Sequence, residues 1–280
     1  MKFSVLMSLY AKEQPNFLAE CLLSLTKQIL QADEIILVYD GQIGRDLQEV
    51  VDGFLPKLPL KIIQLPANVG LGKALNAGLE HCQFEWVFRM DTDDICVSER
   101  FAKQVDFIKT QPNIDVVGGQ IIEFEQDFLQ ADCLQTDCLQ TKNARVVPTS
   151  HDAIVTYAKS RNPINHMTVA FKKSAVQAVG GYQHAPLYED YDLWVRLLSK
   201  NYRFANLPDV LVYARAGQAM YERRGGLAYA KNEMQMQVKF WQLGFVSVWQ
   251  MIKNLAIRLP VRLLPNRLRS MIYQKLLRGC

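Results

Sequence analysis

FEWVFRMDTDDICVSER, residues 84–100, joins an apolar run to a cluster of acids. Phe84, Trp86, Val87 and Phe88 lead into Arg89 and Met90, and then Asp91, Asp93 and Asp94 fall within four positions. Carboxylates this close repel one another unless a cation, a helix N-terminus or open water relieves them. The apolar run reads as a buried strand, which puts the acids at its carboxyl end. The competing reading is that Asp93 or Asp94 caps a helix beginning near Ser98.

Upstream of this stretch the chain alternates strand and helix. FSVLMSLY (3–10) is a strand, and Pro15 suits the first turn of a helix that places Leu18, Cys21, Leu22, Leu25 and Ile29 on one face. EIILVYD ends at Asp40 before Gly41, a helix covers 45–54, LKIIQL follows, and another helix starts near Gly70. Strands apolar on both faces and separated by helices predict a mostly parallel sheet covered on both sides, an α/β fold. Ligands of such sheets bind beyond the carboxyl ends of the strands. Ser8, Tyr10, Asp40, Asn68 and Asp91 are all expected there, and acids leaving the fourth strand into that crevice would be neutralised by a hard divalent ion and a diphosphate.

The chain has 280 residues, 49% of them hydrophobic and 21% charged, which suits a folded soluble enzyme and argues against disorder. The N-terminus lacks the basic, apolar and small-residue succession of a signal peptide, and no uncharged run is long enough to span a bilayer. Six scattered cysteines without CxxC pairs predict reduced thiols rather than zinc or disulfides. NVGLGKALNAGLE (68–80) lacks the third glycine of a dinucleotide loop and the Ser or Thr of a P-loop. It is either a plain helix entry or a helix N-terminus open to phosphate or nucleoside.

Taken together, SVLMSLY, EIILVYDG, NVGLGKALNAGL, FRMDTDD and the later LYEDYDLWVRLL resemble the family 2 glycosyltransferases of the GT-A fold, in the order seen in bacterial capsule and exopolysaccharide enzymes of the amylovoran type. The resemblance covers residues 3–215. It implies inverting transfer of a hexose-type sugar from a nucleotide diphosphate donor, UDP-linked by preference, with Mn2+ or Mg2+ held at Asp93. It places Ser8 and Tyr10 at the nucleobase, Asp40 as acceptor of a base hydrogen bond, Asn68, Gly70 and Lys73 near the donor phosphates or base, and Asp91 at the ribose. The sequence departs from the family at Tyr39-Asp40, where a pair of acids is usual.

In the second half, Leu193, Trp194, Leu197 and Leu198 give an apolar stripe to a helix begun by Glu189 and Asp190. Acids there favour a helix by roughly 0.3 to 1 kcal/mol each, whatever their chemistry. The resemblance makes Asp190 the general base toward the acceptor hydroxyl, with Glu189 the second candidate. His166 either reaches acceptor or diphosphate or serves as a structural hydrogen-bonder, and Arg215 either meets phosphate or pairs with a surface acid.

DCLQTDCLQT (132–141) is a tandem duplication that reads as a tolerated loop insertion rather than a Cys133–Cys138 metal or redox pair. From Met234 to Cys280 there are eight Lys or Arg and no Asp or Glu, so the net charge of +4 lies in the tail. Phe245, Val248, Trp249, Ile252, Leu255, Ala256 and Leu259 form a helical stripe, with Pro260 and Pro265 expected to break the chain before Leu268, Met271, Ile272 and Leu276. Arg258, Arg262, Arg267, Arg269, Lys275 and Arg278 accompany them. Such a basic amphipathic segment suits an anionic membrane surface; a packing or dimer helix is the plainer alternative, and no motif speaks for nucleic acid.

The expectation is therefore a GT-A catalytic domain over 1–218, with a nucleotide-binding half (1–97) and an acceptor half (98–218), and a C-terminal helical segment (219–280). The enzyme would be cytoplasmic and peripheral at the inner membrane face, building surface polysaccharide on a saccharide or lipid-linked acceptor. The rivals are a sugar nucleotidyltransferase, which normally carries an early glycine-rich signature absent after Tyr10, and a catalytically silent sugar- or lipid-binding protein, which should have lost Asp93 or Asp190.

Overall fold

A computed structural model describes residues 1–124, 144–216 and 226–263. The first half alternates as the sequence predicts: β1 (Phe3–Leu9), α1 (Pro15–Thr26), β2 (Glu34–Tyr39), α2 (Arg45–Phe54), β3 (Leu60–Gln64), α3 (Leu71–His81) and β4 (Trp86–Arg89). Pro15 opens α1, where a missing N–H costs nothing, and Leu18, Cys21, Leu22 and Leu25 are buried along one side. Ile29 does not join that stripe; the helix ends at Thr26 and Ile29 is 70% exposed.

Beyond β4 come β5 (Ile95–Cys96), α4 (Arg100–Thr110), β6 (Val116–Phe124), β7 (Ala144–Arg145), α5 (His151–Ala158), β8 (Ala170–Lys172), α6 (Lys173–Ala178), α7 (Glu189–Ser199) and β9 (Phe204–Arg215). One sheet of the described residues runs in the order β3-β2-β1-β4-β8-β6-β9-β5, with β7 beside β6. Its first four strands are parallel. The second half is mixed: β8 is antiparallel to β4 and β6, while β6 and β9 are parallel.

Apolar residues leave both faces of the sheet. Val5 and Met7 of β1 pack with Leu18, Leu22, Phe88 and Phe101 on one side, and Leu6 packs with Val38, Leu75, Val87 and Trp194 on the other. Gly78 lets α3 lie close, since a Cβ there would come within 2.4 Å of Leu6 Cδ1. The topology also fixes the acidic turn at both ends. β4 lies mid-sheet, whereas β5, five residues after it, pairs antiparallel with β9 at the far edge, Ile95 opposite Tyr213 and Cys96 opposite Val212. The turn 90–94 therefore crosses the carboxyl end of the sheet between two anchored strands.

α8 (Leu227–Gln242) and α9 (Val248–Leu263) form a hairpin packed on α7. Pro260 does not stop α9, which runs on to Leu263. The inward face of α9 is mixed rather than the apolar stripe its sequence suggests, with Met251, Leu255 and Leu259 half-buried on it. Asn254 is buried and Arg258 and Arg262 turn inward to Glu233, which is fully buried, while Trp249 (78%), Ile252 (48%) and Ile257 (60%) are exposed. A buried carboxylate demands cations, and that demand outweighs the burial of three more apolar side chains. No described helix is long and apolar enough to cross a membrane. The DCLQT duplication and residues 264–280, with the apolar and basic residues expected there, lie outside the described residues.

Candidate active site

The acidic turn is a built structure. Asp91, Asp93 and Asp94 each offer an oxygen within 4.8 Å of the others. Asp91 lies across the guanidinium of Arg89, which donates to both of its oxygens from a side chain only 2% exposed. Asp94 is buried and accepts the backbone N–H of Arg215 at 2.7 Å, and its second oxygen, Oδ2, is buried without a partner. Neither Asp93 nor Asp94 caps a helix: α4 starts at Arg100, with β5 in between, and has no side-chain cap. Burial, with the charges of Asp91 and Glu13, pushes the Asp93 carboxyl up to about 7. Burial and the charges of Asp93 and Asp91 likewise push Asp94 up. A hard divalent cation relieves such a set: the donors are all carboxylate oxygens, they repel one another, and one buried oxygen lacks a partner.

Arg215 belongs to this turn from behind. The acid it pairs with is a buried one rather than the surface acid expected. Its guanidinium pairs with Glu20, donates from Nε to the Asp93 carbonyl at 3.1 Å, and lies 3.7 Å from the ring centre of Phe17 and 4.7 Å from that of Phe124. With side chains 7% and 3% exposed, Arg215 and Glu20 are an internal pair. They fix the backbone of Asp93 and Asp94.

The donor-side residues expected from the sequence come together where β1, β2 and α3 meet. Asp40 has partners within the chain. It is buried, and its carboxylate accepts the backbone N–H groups of Val69 at 2.6 Å and Gly70 at 3.0 Å, while its carbonyl accepts Asn68 Nδ2 at 3.2 Å. The carboxylate thus ties the strand end to the loop that opens α3. Gly41 lets the two approach: its φ is +87°, and a Cβ would stand 2.7 Å from Asn68 N. Gly70, with φ of +86°, has open space around it, and Lys73 is exposed on the first turn of α3. Tyr10 is 39% exposed and Ser8 half-buried at the end of β1.

The other carboxylates face the same opening. A cavity of about 230 Å³ is lined by Leu71, Arg89, Asp91, His166, Tyr182, Leu187, Glu189 and Asp190. Asp190 accepts Asn162 Nδ2 at 2.6 Å and the N–H of Tyr191 at 2.7 Å. Burial pushes its carboxyl up; those two bonds pull it back. Burial also raises Glu189. His166 Nε2 lies 2.9 Å from the Tyr182 hydroxyl with its ring against Trp194, and burial beside Arg89 holds it well below the usual imidazole range, hence neutral. Gly72 brings α3 against this side, since a Cβ there would stand 3.4 Å from both Glu189 Cγ and Tyr182 Cβ. That second glycine faces protein rather than crevice.

Arg89, Asn162, Tyr182 and Glu20 were not singled out by the sequence. Only Arg89 carried a signal, as a lone charge closing an otherwise buried strand.

A crevice at the carboxyl end of a parallel sheet, an acidic turn fit for a cation and a half-buried carboxylate across one cavity from it define a nucleotide-sugar transferase of the GT-A type. Residues 4–175 match glycosyl transferase family 2, and the chain belongs to that family. It is 42% identical to the amylovoran biosynthesis glycosyltransferase AmsE of Erwinia amylovora, over 98% of each chain. It is 38% identical to the UDP-Gal:alpha-D-GlcNAc-diphosphoundecaprenol beta-1,3-galactosyltransferase of Escherichia coli, over 99% of this chain and 97% of that protein. The mannosyltransferase PcManGT of Pyrobaculum calidifontis, solved with GDP-Man and Mn2+, shares the fold with a TM-score of 0.66 at 17% identity, over 98% of this chain and 75% of that one. The chain is a glycosyltransferase.

Proposed function

We propose that this enzyme transfers a hexose from a UDP-sugar, with inversion, to a saccharide carried on a lipid diphosphate, as a step in building a surface polysaccharide. The observation that carries this reading is the shared cavity, in which Asp91 of the acidic turn and Asp190 of α7 line one opening. Such an arrangement suits in-line displacement: a leaving diphosphate on the side of the turn and an incoming hydroxyl on the side of α7. The relative that acts on a diphosphoundecaprenol-linked sugar with UDP-Gal supports the donor and the acceptor class.

In this reading the donor lies over residues 1–97, with Ser8, Tyr10, Asn68, Gly70 and Lys73 around base and phosphates and Asp91 at the ribose; residues 98–218 supply the acceptor side. Asp93 and Asp94 would hold Mn2+ or Mg2+, which when bound would supply positive charge facing the leaving diphosphate. Arg89 orients Asp91 through hydrogen bonds to both of its oxygens. Asp190 removes the proton from the acceptor hydroxyl as that oxygen attacks the anomeric carbon. Asn162 and the N–H of Tyr191 hold the carboxylate in place and stabilise its charged form. Neutral His166, bridged to Tyr182, offers a hydrogen bond to the acceptor side of the cavity.

The same reading places the protein on the cytoplasmic face of the membrane, where a lipid-linked acceptor is presented. The outward apolar face of α9, bearing Trp249, Ile252 and Ile257, suits insertion at the interface. The electrostatic contribution is smaller than the tail's sequence charge suggests, because Arg258 and Arg262 are committed to Glu233.

The test is a screen of UDP- and GDP-sugars against a short-chain GlcNAc-diphosphate lipid with Mn2+ or Mg2+, the product's anomeric configuration being read by NMR. A β-linked product from an α-linked UDP-sugar is expected. Release of inorganic diphosphate from a nucleoside triphosphate, or retention of configuration, overturns the reading.

A further inference from the structure

The start of α7, which carries Glu189 and Asp190, is held on two sides by the C-terminal hairpin. On one side Tyr188, the residue before Glu189, donates its hydroxyl to Glu233 of α8 at 2.6 Å. Glu233 also accepts Arg258 of α9 at 2.5 Å and Arg262 at 3.3 Å. On the other side, Arg258 donates through its second nitrogen to the Ser160 carbonyl, and Asn254 donates to the Lys159 carbonyl at 2.8 Å. Two residues after Ser160 stands Asn162, the donor to Asp190 at 2.6 Å. Arg258 therefore bridges both arms of the clamp.

Further contacts close it. Tyr191, the residue after Asp190, donates its hydroxyl to the Ala158 carbonyl at 2.7 Å and meets the ring of Phe240 edge-on with centroids 4.9 Å apart. Lys239 of α8 pairs with Asp192 at 2.5 Å. The residues on either side of the carboxylate pair, 188 and 191–192, are thus in contact with α8.

A fully buried carboxylate held by two guanidiniums is an expensive way to join two helices, and well-packed apolar side chains do it as well or better. What a charged, hydrogen-bonded cluster adds is directional geometry, since an arginine fork fixes its acceptors in position. The two acceptor groups of Arg258, Glu233 and Ser160, lead in one direction to Tyr188 and in the other to Asn162. Both end at Asp190.

We propose that the C-terminal hairpin is the positioning element for the base, with Glu233, Arg258 and Asn254 as positioning residues acting on Asp190 through Tyr188 and the 159–162 segment. This rests on Asp190 being the general base. It assigns α8 and α9 a part in the chemical step, distinct from any membrane contact made by the outer face of α9.

A double-mutant cycle in the full-length protein tests it, with transfer measured at saturating donor and acceptor and UDP affinity measured separately. Glu233→Gln should lower kcat about tenfold while UDP affinity changes less than about twofold, because misplacing a catalytic group acts on turnover. Combined with Asp190→Asn, the same change should cost less than about twofold, since the base through which it acts is gone. Asn254→Ala leaves the charged cluster whole and should lose about threefold in kcat with the same dependence on Asp190, so the cycle does not hang on Glu233→Gln folding. Equal losses in both backgrounds, or full turnover in both variants, overturn the inference while leaving the base assignment standing. If Asp190→Asn alone retains full turnover, the base assignment falls and this inference with it.

Discussion

Replacing Asn162 by Ala should move the acid limb of the pH–rate profile to higher pH. Asp190 is a half-buried carboxylate whose pKa is already raised by desolvation, and the Asn162 Nδ2 hydrogen bond at 2.6 Å is the first influence opposing that rise. A hydrogen bond to a charged group is worth about 1.5 to 3 kcal/mol, and about 1.4 kcal/mol corresponds to one pH unit. The N–H of Tyr191 remains bonded to the carboxylate and compensates in part, so the lower end applies: the midpoint should rise by about one pH unit. The linkage has a definite sign. With its folded-state pKa raised, ionised Asp190 opposes folding above its unfolded pKa, and Asn162→Ala increases that opposition. The variant should therefore lose more stability at pH 8 than at pH 5. The assay is kcat against pH at saturating substrates, with thermal unfolding at both pH values. An acid limb that stays put or moves down would refute the role of Asn162 and the assignment of Asp190 as base.

Asp93→Ala should abolish the Mn2+-dependent part of UDP binding in calorimetry while the unfolding temperature holds or rises at neutral pH, because a carboxyl pushed up to about 7 destabilises the fold when ionised. Undiminished Mn2+ dependence would move the metal to other ligands. Arg215→Met leaves Glu20 charged and buried, which should cost about 3 to 5 kcal/mol in denaturant unfolding, and adding Glu20→Gln should recover part of that; equal stability of the single variant and the parent would contradict the internal pair. Replacing Trp249, Ile252 and Ile257 together with Ser should release the protein from anionic vesicles in sedimentation without lowering the unfolding temperature, since all three side chains point outward. Unchanged sedimentation would make that face a protein contact. Deleting residues 243–280 is the poorer experiment, because it also strips Arg258 and Asn254 from α7.

Much of the first half was legible because its signals, apolar runs and helical stripes, are local in sequence. Continuous apolar runs separated by helical stripes dictate a parallel sheet, and the acids after β4 could only stand at its carboxyl end. The strands after Arg100 were not legible: β7 and β8 have two and three residues, too few to show a period, and β6 has glycines at 118 and 119. Asp40 shows how position can be read without contacts. Its place at the strand end followed from the run before it, but its carboxylate was claimed by two amides of a loop 29 and 30 residues later, which no local pattern records.

The tail divides in the same way. Sequence alone determined that residues 234–280 carry no acids and that 248–259 follow a helical spacing, because composition and spacing are local properties. Which face of α9 turns inward depended on a buried acid in another helix, Glu233, 25 and 29 residues earlier in the chain, whose charge had to be met by Arg258 and Arg262. Helical periodicity fixes which residues share a face; only the electrostatics of the surface beneath decide which face is buried.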